Sequence, residues 1–463
     1  MTTYIKNKRK NIFAFIQQSF SSEHQDFTTG SIRKAVFLLA IPMILEMCME
    51  SVFAIVDIFF VGKLGPNATA TVGLTESILT IIYSIAIGMS MAATAMVARR
   101  VGEKNYEAAA EAGAQSIILV FILSIIISIT GIFFPQHFLS MMGASQEIIT
   151  VGNSYIKIML TGNIVIMFLY LLNGIFRGAG DAAIAMKSLW FANICNIIFC
   201  PIWIHHYGLA GAAMATTTGR GLGVCYQFYH FLKGKGIIKF HIKDFIPDVK
   251  VLISLLNVAT TATLQFLIGS ASWIVLARIM SEFGANAVAG YTISVRWFIF
   301  FMMPAWGLSN AAATLVGQNL GAQQPQRAEE SVWKTAKYNG LFMLMVTFIF
   351  LIFAEVLVKI INADAEVVAT AIMALRVFSV GCVFWGVGMV MMNAFNGAGD
   401  SKTPTYINLF WFWAFQIPVA YLLAKHLHWG PTGVCITIII TEICVAITTV
   451  ILFKKGRWKK VKI

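Results

Sequence analysis

Between Ala35 and Val61 the sequence reads AVFLLAIPMILEMCMESVFAIVDIFFV, 27 residues of nearly unbroken apolar character. At about 1.5 Å per residue, a helix of this length crosses a bilayer core of roughly 30 Å. Three acids interrupt it: Glu46, Glu50 and Asp57. Spacings of four and seven residues place them on one helical stripe. A charged side chain near the bilayer centre costs about 2.5–3.5 kcal/mol. Three on one stripe must therefore be protonated, paired with bases on other helices, or turned toward a wet cavity. Arg220 and Arg296, inside other apolar stretches, are the candidate partners for Glu46 and Glu50.

The rest of the chain has the same character. Of its 463 residues 58% are hydrophobic and only 12% charged, half the usual soluble value of about 25%. Twelve apolar spans are expected, at 35–61, 71–98, 114–134, 148–176, 183–204, 209–231, 251–281, 286–316, 338–358, 366–395, 404–424 and 432–453. The net charge of +13 does not point to nucleic acid, because its bases fall in the short segments between spans. With both termini inside, 26 of the 34 Lys and Arg lie on the cytoplasmic side and three (Lys63, Lys359, Lys425) outside. Cytoplasmic termini follow from the positive-inside rule. The stretch 11–20 is expected to lie on the cytoplasmic membrane surface as an interfacial helix. All seven cysteines sit in apolar stretches without a CxxC pair, and read as small buried hydrophobes. His205, His206, His426 and His428 read as residues of the outer loop edges, and neither metal nor cofactor is expected.

The chain repeats itself. An offset of 219 places Gly65 on Gly284, Gly88 on Gly307 and Gly102 on Gly321, and brings Phe176-Arg-Gly-Ala-Gly-Asp181 onto Phe395-Asn-Gly-Ala-Gly-Asp400. Each unit holds six spans, an even number, so the halves share one orientation about an axis along the membrane normal. The expected division is a terminal segment 1–34, a first lobe 35–231, a basic cytoplasmic linker 232–250, a second lobe 251–453 and a basic tail 454–463. The acids do not repeat: Glu46 falls on Gln265, Glu50 on Gly269 and Asp57 on Leu276. Carboxylate chemistry, if it drives this protein, is confined to the first lobe. In the two GAGD turns, glycine ends one helix and Asp181 or Asp400 caps the next, a structural role.

Twelve spans in two same-sense halves, VDIFFVGKLG closing the first span, and the FRGAGD/FNGAGD turns together resemble the multidrug and toxic compound extrusion (MATE) family, and its DinF-like branch in particular. The resemblance covers the chain from Ala35 to Phe453. It implies an all-α integral membrane fold, with two six-helix lobes forming a V-shaped central cavity. It also implies export of organic, mostly cationic or amphipathic compounds in antiport with H⁺ or Na⁺ by alternating access. The family's first-lobe ion site is carried onto Asp57, Asn196 and Thr216. At Cys200 this chain departs from the family's Asp, and a thiol is a poor ligand for hard Na⁺. Glu46 and Glu50 are the acids available to compensate.

The candidate ion-coupling residues are thus Asp57, Glu50, Glu46, Asn196 and Thr216, with Pro42 as a hinge through its missing hydrogen bond. Gln265, Met302, Trp306, Met389 and Cys200 are candidates for the substrate cavity, since methionines and aromatics adapt to varied ligands. A monomeric transporter of small organic cations in a prokaryotic plasma membrane is expected. No ATP-binding GxxxxGK[ST], HExxH or GxSxG motif is present, which disfavours an ATP-driven pump and an enzyme. The alternative is a flippase for lipid-linked precursors, whose cavity would carry several Arg or Lys for phosphates.

Overall fold

The computed structural model describes residues 16–21, 25–233 and 236–463. Of the expected interfacial helix, 11–15 lie outside the described residues and 16–19 are helical. The first half folds as α1 (Ile32–Gly62), α2 (Pro66–Gly102), α3 (Tyr106–Phe133), the short α4 (Pro135–Met141), α5 (Gln146–Thr161), α6 (Asn163–Ala179), α7 (Ala182–Tyr207) and α8 (Leu209–Leu232). The second half comprises α9 (Val249–Ser281), α10 (Ala285–Gly321), α11 (Pro325–Lys359), α12 (Ala365–Gly397), α13 (Lys402–Asn408), α14 (Ile417–Tyr421) and α15 (Gly430–Lys454). Wider π-helical turns at Leu409–Gln416 and Leu422–His426 join α13 to α14 and extend α14.

Helix boundaries follow local chemistry. Asn105, Asp181, Asp248 and Asp364 each accept a hydrogen bond from a first-turn amide and so cap α3, α7, α9 and α12. Pro66 and Pro325 open α2 and α11, where a missing N–H costs nothing. The two GAGD turns are what the sequence predicts: Gly180 (φ +90°) and Gly399 (φ +85°) are left-handed. Asp181 Oδ1 accepts from Ile184 N at 3.3 Å, and Asp400 Oδ1 from Thr403 N at 3.3 Å.

Ten helical stretches among the described residues are long and apolar enough to cross a membrane, counting α5–α6 as one and Lys402–His426 as one. Helices α1 and α8, which carry the three acids and Arg220, fall outside that set but at 31 and 24 residues are long enough to cross. The span expected at 148–176 is broken at Gly162 into α5 and α6. Helices α3 and α11 occupy equivalent places in the repeat. Both turn exposed apolar rows outward: Phe121, Ile122, Ile126 and Ile129 on one, Leu344, Phe348, Ile352 and Phe353 on the other. Such rows suit lipid.

Each half has its own hydrophobic core, one around Leu79, Met89, Leu169 and Leu172, the other around Phe298, Phe350, Phe378 and Trp385. The halves meet along α2 and α10, most closely at the end of the bundle that also carries residues 25–31, the linker and the tail. There Gln318 Nε2 on α10 donates to Gly178 O at 3.0 Å, and Thr314 Oγ1 donates to Arg177 O at 3.1 Å. Arg327 of the second half donates to the carbonyls of Phe27, Thr29 and Gly30 ahead of α1. Arg99 of the first half donates to Val461 O in the tail at 2.9 Å. The linker is pinned on α3 by Gln115, whose amide donates to Asp244 O and Ile246 O and accepts from Asp248 N. Among the described residues no hydrogen bond joins α2 to α10 in their opposite, outer turns. Glu76 and Arg296 face each other there, exposed and within electrostatic range.

Candidate functional site

A cavity lies between the halves, closed at the end that carries residues 25–31, the linker and the tail, with about 930 Å³ of space unfilled by protein atoms, counting its mouth. From the first half it is lined by Glu46, Glu50, Tyr170, Asn173 and Arg177, and from the second by Phe266, Met303, Trp306, Asn310, Asn393 and Asn396, among others. The charged lining residues all come from the first half. The second half contributes carboxamides, a methionine and the Phe266–Trp306 pair, stacked with centroids 5.5 Å apart and planes 8° apart.

The acid stripe of α1 meets a different partner at each level. Deepest toward the closed end, Glu46 is 1% exposed; its Oε1 accepts from Asn173 Nδ2 at 3.0 Å and lies 4.0 Å from Arg177 Nη1. Asn173 is itself held by Ser188 (3.2 Å) and Gln227 (2.5 Å), a buried polar chain running from the cavity wall into the first lobe. One α-helical turn outward, Glu50 Oε1 accepts from Arg220 Nη2 at 2.9 Å, and Asn193 reaches its other oxygen at 3.3 Å. Arg220 is almost fully buried beneath the rings of Phe53 and Tyr83. Of the two bases the sequence offered, Glu50 takes Arg220, and Arg296 lies across the cleft near Glu76.

Asp57 stands further out, its Oδ1 buried without a hydrogen-bond partner and within electrostatic range of Arg220, Glu76 and Cys200. Asn196 Nδ2 donates to Thr216 Oγ1 at 3.1 Å, joining α7 to α8, and Asn196 Oδ1 is also buried and unpartnered. The structure thus groups the five candidate ion-coupling residues inside the first lobe at three levels rather than in one shell.

The substrate candidates fare unevenly. Trp306 lines the cavity, but Gln265, Met302, Met389 and Cys200 are not among its lining residues. Met302 and Met389 pack against the second-lobe core, and Met303, the next residue on α10, faces the cavity instead. Cys200 is fully buried inside the first lobe. Gln265 is 6% exposed, with Oε1 unpartnered. Sequence reasoning fixed the spans but not the rotation of each helix about its axis.

Arg177, one of the 26 Lys and Arg expected on the cytoplasmic side, belongs to the last turn of α6 and lines the cavity floor, the single basic residue in the lining. Its signal was present in the repeat, where the one variable position of FxGAGD is Arg177 in one copy and Asn396 in the other.

A MatE family model matches the chain twice, at residues 42–202 and 261–422. The two matches begin 219 residues apart, the offset at which the sequence repeats. A probable multidrug resistance protein NorM of Thermotoga maritima is 25% identical over 441 residues, covering 93% of this chain and 94% of that protein. A multidrug export protein MepA of Staphylococcus aureus is 21% identical over 429 residues, covering 92% of this chain and 94% of that protein. A solved outward-facing structure of a multidrug resistance MATE family transporter superposes with a TM-score of 0.90 at 27% identity, covering 95% of this chain and all of that one. The chain is a multi-pass membrane transporter, not an enzyme, and it belongs to the MatE family.

Proposed function

We propose that the chain exports organic, mostly cationic or amphipathic compounds from the cytoplasm in exchange for protons, the cavity serving cargo and the first-lobe acids serving the coupling ion. One observation carries this reading: the cavity that takes a flat aromatic face from the second lobe takes its carboxylates from the first. Cargo on the second-lobe wall thereby faces the first-lobe acids across one cavity. An organic cation stacked on Phe266 and Trp306 meets the field of Glu46 and Glu50.

Protons are favoured over Na⁺ by the donor set. Cys200 replaces a hard carboxylate by a thiol, and Asp57 Oδ1 and Asn196 Oδ1 are left without hydrogen-bond partners. Protonation of Asp57 would supply a donor to that region and remove a charge from α1. Helix α1 runs unbroken through the buried Pro42, where the missing backbone hydrogen bond leaves the place at which it bends most readily. Closure of the outer turns and opening at the end carrying the termini would then move cargo by alternating access. The excess of Lys and Arg at that end supports a cytoplasmic location for both termini.

Expression of the full chain in a bacterium stripped of its own efflux pumps is the test. Lower ethidium accumulation and reduced ethidium sensitivity, both lost in Trp306→Ala, support the reading. Accumulation equal to that of cells carrying the empty vector contradicts it.

A further inference from the structure

The proposed function leaves Arg177 unused, although it lies in the cavity. Its position is held from both sides. The backbone carbonyls of Arg177 and Gly178 accept from Thr314 and Gln318 of the second lobe, which fixes the residue at the seam where the cavity ends. Its Nε donates to Asn173 O at 3.2 Å, one turn back on its own helix. The terminal nitrogens make no hydrogen bond to the described residues. Their nearest charged neighbour is Glu46, whose Oε1 is 4.0 Å from Nη1 and already accepts from Asn173.

A structural ion pair would be closer. Guanidinium–carboxylate pairs hydrogen-bond at about 2.7–2.9 Å, as Arg220 does to Glu50 through Nη2 at 2.9 Å in the same lobe. Charges held this deep are normally fully paired, because an unpaired one costs several kcal/mol. Arg177, with 11% of its side chain exposed, keeps its fork free toward the cavity.

The repeat sharpens the contrast. The offset of 219 sets Arg177 against Asn396 and Glu46 against Gln265. Where the first lobe carries a guanidinium and a carboxylate, the second carries two carboxamides. Asn396 itself lines the cavity, with Oδ1 buried and unpartnered. An amide therefore satisfies the turn, and a guanidinium is not required to build it.

We propose that Arg177 is a specificity-determining residue that receives a carboxylate of the cargo, so that the cavity favours aromatic compounds bearing a carboxylate over their neutralised esters. The proposal rests on the cavity being the cargo site. A single guanidinium matches one planar carboxylate through two parallel N–H···O bonds, with the ring system lying toward Phe266 and Trp306. A lipid-linked pyrophosphate, with its greater charge, fits a lining with one basic residue less well.

The test uses the purified full chain in lipid nanodiscs and a pair of rhodamine dyes, one with a free carboxylate and the other its methyl ester. The quantity read is the ratio of the two affinities in wild type, Arg177→Asn and Arg177→Lys. Arg177→Asn copies the second lobe's residue and is expected to lower the carboxylate preference about tenfold, the loss of one charge-assisted bidentate contact. Arg177→Lys, which keeps the charge but loses the planar fork, is expected to fall between wild type and Arg177→Asn. A ratio that does not move in Arg177→Asn, even if both dyes weaken together, overturns the proposal and assigns Arg177 a structural role. Wild type binding neither dye overturns the cargo-site reading, and this proposal with it.

Discussion

Gly102 and Gly321 lie across the seam from one another, each against the backbone of the helix that carries the other. A Cβ on Gly102 would overlap the Gln318 carbonyl of α10, and a Cβ on Gly321 would overlap the Arg99 carbonyl of α2. The two contacts are equivalent under the repeat, since the same offset relates Gly102 to Gly321 and Arg99 to Gln318. Gly88 and Gly307, also related by the repeat, pack on other helices of the opposite half, Gly88 against Thr263 of α9 and Gly307 against Met43 of α1. At Gly102 and Gly321 the end of the cavity nearest the termini is sealed by backbone touching backbone.

This seal should be breakable by one methyl-bearing substitution. Gly102→Val or Gly321→Val is expected to cost about 1–3 kcal/mol through overpacking. It should also speed amide hydrogen exchange in the turns 95–102 and 314–321. Exchange unchanged in both turns would mean that the seam tolerates separation and is not the seal.

The Glu50–Arg220 bridge is buried, so removing one partner should hurt more than removing both. Arg220→Met leaves Glu50 without its counter-charge, with Asn193 as its remaining partner, and is expected to cost about 3–5 kcal/mol. Adding Glu50→Gln should recover a substantial part. Thermal unfolding of both variants in detergent reads this directly, and strictly additive losses would show that the bridge contributes no coupling.

Trp458 anchors the tail. It is fully buried, stacks on Phe453 with centroids 4.7 Å apart, and donates Nε1 to Phe453 O at 2.9 Å. Trp458→Ala is expected to cost about 3–5 kcal/mol. It should also free the Val461 carbonyl from Arg99 and loosen the tail, so that limited trypsin digestion cuts faster after Lys459 and Lys460. Resistance equal to that of wild type would contradict this anchoring role.

The architecture was legible in the sequence because bilayer length, apolar runs and a fixed repeat offset are one-dimensional properties. Gly88, Gly102, Gly307 and Gly321 were visible as matched glycines, though only packing shows that each faces the other lobe. The site was half legible. Three acids on one stripe marked the face of α1 that meets Asn173, Arg177 and Arg220, and Arg220 was one of two partners the sequence offered for Glu50. The cavity lining was not legible, because in a helix apolar all round nothing in the sequence tells a lipid-facing methionine from a cavity-facing one. Hence Met302 stood for Met303. Arg177 was obscured by its place beside a turn, where topogenic charges also gather.

The central claim, that the first-lobe acids couple cargo movement to an ion, is tested most directly in proteoliposomes holding the purified protein. Ethidium flux is followed with a pH gradient alone, then with a Na⁺ gradient alone, for wild type and Asp57→Asn. Uphill ethidium movement driven by the pH gradient and abolished in Asp57→Asn is expected. Uphill movement that needs only the Na⁺ gradient, or that persists in Asp57→Asn, would contradict the claim.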